Sequence, residues 1–229
     1  MEVPSKISKK DLHIRQTRAH IAPSYLRNLP VIFLICLLVP IQLHIGPAIL
    51  LPHRIFLLIF FIPLLLNLFT DQNQKLNIID LLIIFAVLWA SLSILKSTSV
   101  ATAIEPIGLF WSEFLGSYLV GRVAVKSATD FQRYVRALFI MMLIVTPLAA
   151  FESITGQAIA LEVLPNSLSI VNPDPRMGLR RAQVVFAHPI LFGVFASTCL
   201  GLFFFAFSRG TRVAASLLAL AGSFFSLST

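Results

Sequence analysis

Long apolar runs separated by short polar connections dominate the chain. Crossing about 30 Å of hydrocarbon takes about 20 apolar residues in a helix. Seven runs approach that length: 29–45, 53–69, 77–95, 104–120, 138–154, 189–207 and 213–227. Pro40 interrupts the first and Pro63 the second, and the third is free of proline. Proline in a membrane helix is tolerated where neighbouring helices supply substitute partners, so the pattern predicts a packed bundle. The fourth run is the weakest, because it carries Glu105 and Glu113. The expected fold class is an all-α polytopic membrane protein of about seven transmembrane helices.

The connections set the expected orientation. Residues 1–28 form a basic segment with Lys6, Lys9, Lys10, Arg15, Arg18 and Arg27. That stretch is too long for the charged region of a cleavable signal peptide. It is expected to be a cytoplasmic tail. Alternating seven spans from there puts thirteen Lys and Arg residues on the inner side and five on the outer, the bias membrane insertion favours. Omitting the fourth span would turn the basic 122–136 connection outward, against that bias. The resulting organisation is a tail (1–28), a five-span bundle (29–154), an outer loop (155–187) and two further spans (188–229), the last incomplete.

Composition narrows the class. Hydrophobic residues make up 57% of the chain and charged residues 12%, roughly half the charged share of a soluble domain. The net charge of +8 could suit nucleic acid, but the basic residues sit between apolar runs, where they act as topology signals. Nucleic acid is therefore not an expected partner, whereas membrane lipids are. Cys36 and Cys199 fall inside apolar runs and read as small hydrophobes. The five histidines lack metal-ligand spacing, and no glycine-rich phosphate loop occurs, so no metal and no cofactor are expected.

The outer loop carries the candidate chemistry. It is punctuated by Pro165, Pro173 and Pro175, and then delivers Arg176, Arg180 and Arg181 close to His188. Three guanidinium groups stand where positive charge should be scarce, which favours an anionic partner over chance. Their planar forks suit bidentate contact with phosphate. The plainer alternative is contact with lipid headgroups. Arg176 and Arg180, four apart, would share a face if the segment were helical. His188, followed by Pro189, sits where it could cap a helix or donate to phosphate. Glu152 is expected near the outer surface, where it would orient an arginine, act as a base or form a structural salt bridge. Glu113 lies near the middle of its run and would face a bundle interior or cavity. Asp80 reads as a first-turn helix charge.

Three stretches, in order, resemble the O-antigen ligase and polysaccharide polymerase family of bacterial inner membranes. They are Ser117-Tyr-Leu-Val-Gly-Arg122, Phe151-Glu-Ser-Ile-Thr-Gly156 and Arg180-Arg-Ala-Gln-Val-Val-Phe-Ala-His188-Pro-Ile-Leu-Phe-Gly193, the last being the most specific. The resemblance implies a multi-pass, metal-independent glycosyltransferase of lipopolysaccharide or exopolysaccharide biosynthesis. Its substrate would be an undecaprenyl-diphosphate-linked glycan, handled at the periplasmic face. Arg176, Arg180, Arg181 and His188 would then hold the lipid diphosphate, with Glu152 orienting them. Family members continue through further spans and a periplasmic loop holding a catalytic histidine. This chain ends at Thr229 inside its seventh run. It is expected to be the N-terminal portion of such a protein, without a catalytic residue of its own. The rival expectation is a transporter or channel for an anionic solute, with Glu113 as a gate.

Overall fold

The computed structural model describes residues 24–45, 48–70, 76–171 and 174–227. The molecule is mostly helical. Helix α1 (Ser24–Leu38) leads into a short antiparallel hairpin, β1 (Leu43–Ile45) and β2 (Ala48–Leu50). Helices α2 (Pro52–Thr70) and α3 (Ile78–Ser97) follow, then α4 (Val100–Phe110), a π-helical turn (Trp111–Leu115) and α5 (Gly116–Ala124). The second half holds α6 (Ala128–Thr155), the single turn α7 (Ile159–Glu162), α8 (Pro189–Ala206) and α9 (Arg209–Ser226). Among the described residues, four helices, α2, α3, α6 and α8, are long and apolar enough to cross a membrane. Helix α3 makes the argument for lipid best. Of its twenty residues only Asp80 and Val87 are buried, while Ile78, Phe85, Trp89 and Leu92 are each more than 60% exposed. Such a surface is tolerable only in a hydrocarbon solvent.

The other three expected spans differ from the sequence reading. The first does not run as one helix from 29 to 45. It begins at Ser24, inside the segment read as tail, and stops at Leu38, giving about 22 Å of helix. Pro40 has no N–H to continue the ladder, and its ring disfavours helix at the residue before it. The apolar residues beyond it pair as strands instead, Leu43 with Leu50. Most of the expected tail, residues 1–23, lies outside the described residues. The fourth run is a helix interrupted by the π turn. There the hydroxyls of Ser112 and Ser117 donate to the carbonyls of Leu109 and Glu113. The Trp111 indole N–H donates to Ser91 Oγ at 2.9 Å and ties the turn to α3. The last run is α9, which starts at Arg209 with two arginines in its first turn.

Packing divides the molecule into two cores that share α1. Leu26 and Leu29 of α1 join Leu57 and Leu64 of α2 and Leu119 and Val123 of α5 in one. Leu34 of the same helix joins Val135, Met142, Phe192, Phe203 and Ala219 in the other, formed by α6, α8 and α9. Small residues set the close approaches. A Cβ at Gly116 would stand 3.3 Å from Leu57, and one at Gly222 would stand 2.8 Å from Met142 Cε and 3.4 Å from Phe192.

The ends of the bundle are distinct. At one end the first turn of α3 meets the last turn of α5. Asn77 and Asp80 form a reciprocal cap, and the buried Asp80 carboxylate also receives the Tyr118 hydroxyl and the Arg122 guanidinium, Nε at 3.0 Å. The first-turn charge read at Asp80 is therefore also half of an ion pair. Arg133, Arg136, Arg209 and Arg212 begin α6 and α9 at this end. Arg54, Arg176, Arg180 and Arg181 lie at the other, reached by the start of α2 and the C-terminus of α6. Replacing Gly222 by leucine should therefore separate α9 from α6 and α8 at a cost of about 1–3 kcal/mol. Gly222→Ala should cost less, because the Met142 methyl can swing aside; thermal unfolding in detergent would read both.

Candidate anion site in the arginine loop

The loop after α6 is held by its backbone. Gly156 ends the helix in the left-handed conformation (φ 76°), returning its N–H to Glu152 O at 2.8 Å. The chain makes the turn α7, then crosses the strand that follows α1: Gln42 N–H donates to Asn166 O at 2.7 Å and Leu168 N–H to Pro40 O at 3.0 Å. Arg176 and Leu179 exchange both backbone bonds, at 2.9 and 3.0 Å, around Met177 and Gly178, which both have positive φ. This is a two-residue hairpin turn of the kind that needs two left-handed residues. The 176–180 segment is therefore not helical, and Arg176 and Arg180 do not share a helix face.

Beyond the turn the chain lies along the end of α6. Arg180 N–H donates to Ser153 O at 3.0 Å, and the Ser153 hydroxyl donates back to Arg180 O at 2.7 Å. The Glu152 carboxylate, only 7% exposed, then takes two consecutive amides: Gln183 N–H on Oε1 and Val184 N–H on Oε2, each at 2.9 Å. Val184 has φ of 54°, a conformation that β-branched residues rarely adopt, and the double grip of Glu152 holds it there. Glu152 thus reaches the loop through its backbone, directly beside the arginines, rather than through a guanidinium group.

Gln183 is the residue that sequence reasoning passed over. It is fully buried, accepts the Val171 amide on Oε1 at 2.8 Å and donates from Nε2 to Ser169 O at 3.1 Å. An amide side chain offers both a donor and an acceptor, so it can cross-link two loop strands without a charge. The available signal was an uncharged polar residue inside the apolar stretch between Arg181 and His188.

The four predicted binding residues separate into three places. Arg180 and Arg181 line one small cleft with Glu152, Gly156, Ala158, Ile170 and Val171. Arg180 lies against Gly156 so closely that a Cβ there would stand 2.9 Å from its Cδ and Nε. Arg181 is half-buried, and its Nε is buried without a hydrogen-bond partner. Two guanidinium groups against one carboxylate leave the cleft net positive. Arg176 instead donates from Nη1 to Leu227 O at 3.1 Å, placing its charge on the C-terminal end of α9, where the helix dipole favours a cation. His188 caps α8, its Nδ1 accepting the Ile190 amide at 3.2 Å ahead of Pro189.

A second charged group stands at the same end. Arg54 Nε approaches Glu113 Oε1 at 2.5 Å while its Nη1 donates to Ile49 O in the hairpin, and His53 Nε2 lies 3.9 Å from the same carboxylate. Glu113 therefore sits level with the first turn of α2 and not at the middle of a span. Among the described residues, no three His, Cys, Asp or Glu side chains gather in a way suited to a metal.

Removing the Glu152 carboxylate should release the loop. Glu152→Ala strands two buried amides, each worth about 1–3 kcal/mol when left unsatisfied. Destabilisation of about 2–4 kcal/mol is expected, with faster hydrogen exchange confined to the Gln183 and Val184 amides. Glu152→Gln keeps one acceptor and should fall between the two.

Compared with known protein families, curated proteins and solved structures, the chain matches none.

Proposed function

We propose that the chain is the N-terminal portion of an O-antigen ligase-like membrane glycosyltransferase that handles undecaprenyl-diphosphate-linked glycans. On this reading the end of the bundle carrying the arginine loop faces the periplasm of a bacterial inner membrane. Arg180 and Arg181 hold the diphosphate, and Arg176 and His188 add positive potential and a donor from the neighbouring helix ends. Glu152 is a positioning residue: it fixes the backbone on which the arginines ride. The chain itself contributes recognition of the lipid carrier, and the transfer step belongs to the part of the family architecture that carries the catalytic histidine.

The observation that carries this reading is the Nε of Arg181, buried in the cleft without a partner. A guanidinium N–H removed from water costs free energy until an acceptor arrives. An oxyanion bridging it and the neighbouring Arg180 would supply that acceptor through charge-assisted bonds. The cleft, about 10 Å³, has room for a single phosphate oxygen, and the rest of a diphosphate would lie outside it against the exposed Arg180.

One observation favours the second reading, carriage of an anionic solute. The Arg54–Glu113 pair sits on a π-helical turn, a feature often found at functional sites. A solute anion could replace Glu113 on Arg54 during passage.

The two readings part on two arginines, Arg181 and Arg54. With the chain in phosphatidylcholine nanodiscs, Arg181→Gln should weaken undecaprenyl diphosphate binding roughly tenfold or more, the worth of a lost charge-assisted hydrogen bond. Unchanged binding would remove the diphosphate assignment. Loss of solute uptake in Arg54→Gln, with diphosphate binding intact, would favour the carrier.

A further inference from the structure

The opposite end of the bundle carries a second concave site. A cavity of about 770 Å³ opens between α1 and α6, lined on α6 by Thr129, Gln132, Arg133, Arg136, Ala137 and Ile140. These residues follow one another at helical spacing, so they form a single stripe along α6. The α1 wall is Asn28, Val31 and Ile32. Both walls change character in the same direction. Asn28 and the residues from Thr129 to Arg136 are polar, whereas Val31, Ile32, Ala137 and Ile140 are apolar. Ile32 and Ile140 are 44% and 57% exposed, so the apolar half is open at the side.

The charge in this groove is not used by the fold. Arg133 donates only to Asn28 Oδ1, at a long 3.5 Å, and Arg136 has no hydrogen bond or ion pair among the described residues. By contrast, Arg122 and Arg212 at the same end are engaged, with Asp80 and with Phe207 O. Arg136 also borders a second cavity of about 410 Å³ on the other side of α6, beside Phe207 and Ser208.

We propose that this groove binds an anionic phospholipid of the leaflet on the side of the N-terminal segment. The phosphate sits between Arg133 and Arg136, with Thr129, Gln132 and Asn28 around the headgroup. An acyl chain runs down Val31, Ile32, Ala137 and Ile140. The volume falls in the range of small-molecule sites, and the polar-to-apolar gradient matches a molecule with a charged head and a hydrocarbon tail. The N-terminal segment is a poor rival occupant, because residues 1–23 carry five basic and two acidic side chains. This site is independent of the periplasmic reading of the arginine loop and stands or falls without it.

Native mass spectrometry of the full chain in detergent tests the assignment with dioleoylphosphatidylglycerol, dioleoylphosphatidylcholine and inorganic phosphate as probes. Phosphatidylglycerol should be retained over phosphatidylcholine by roughly tenfold, the scale expected of two basic residues at a membrane surface. Arg133→Gln with Arg136→Gln should abolish the preference. Arg133→Lys with Arg136→Lys, which keeps the charge, should restore part of it. Ala137→Trp, which fills the apolar half and leaves the charges alone, should also expel the lipid. Lys96→Gln, at the far end of α3, should change nothing. The proposal is overturned if Lys96→Gln has the same effect as the double substitution, if Ala137→Trp leaves retention intact, or if millimolar inorganic phosphate displaces the lipid fully. Thermal unfolding at the wild-type temperature establishes that each variant is folded.

Discussion

Two hydrogen bonds to one carboxylate decide where the arginine loop lies. In surroundings poor in water every backbone amide must find a partner within the protein. From residue 180 to the start of α8 the loop is neither helix nor strand, and among the described residues beyond Arg180 only Ala182 N–H finds a helix carbonyl, Phe225 O of α9 at 3.0 Å. Glu152 supplies the missing acceptors for Gln183 and Val184, and Ser153 exchanges two more bonds with Arg180. Glu152 and Ser153 are both buried in the last turn of the 28-residue helix α6. The arginines then hang from a ledge whose backbone is tied to the last turns of α6, and an anion of the proposed kind would meet them with that backbone already ordered.

The two ends of the molecule handle positive charge differently. At the loop end, Arg176 is bonded to the C-terminus of α9 and Arg54 to Glu113, and the cleft arginines are framed by backbone. At the other end, Asp80 draws in Arg122 and Tyr118, while the start of α6 presents its arginines sideways into an open groove. One end holds a narrow crevice beside an exposed Arg180, the other an amphipathic wall. Each end pairs one arginine with a carboxylate, Arg54 with Glu113 and Arg122 with Asp80.

What could be read from the residues was what depends on local order. Twenty consecutive apolar residues signal lipid whatever they pack against, and α2, α3, α6 and α8 stand where the runs are. His188 before Pro189 and Asp80 after Asn77 announce helix starts, because capping needs only neighbours in sequence. The stop of α1 was harder, since Pro40 lies inside an apolar run whose second part is equally compatible with strand or helix. The π turn at Trp111–Leu115 carries no residue signature at all. Long-range partners were invisible for a different reason. Glu152 binds backbone amides, which every residue but proline possesses, and Arg54 finds Glu113 across 59 positions only because the start of α2 and the π turn face each other.

The sharing of α1 between two cores has a consequence for biogenesis. Leu29 finds its neighbours once α2 and α5 have been synthesised, but Leu34 must wait for Val135 and residues beyond it, about a hundred positions later. During that interval one flank of the first helix meets lipid or the insertion machinery instead of protein. That flank of α1 is covered only once α6, α8 and α9 are present to pack against it, so the second core closes on a wall laid down early in translation.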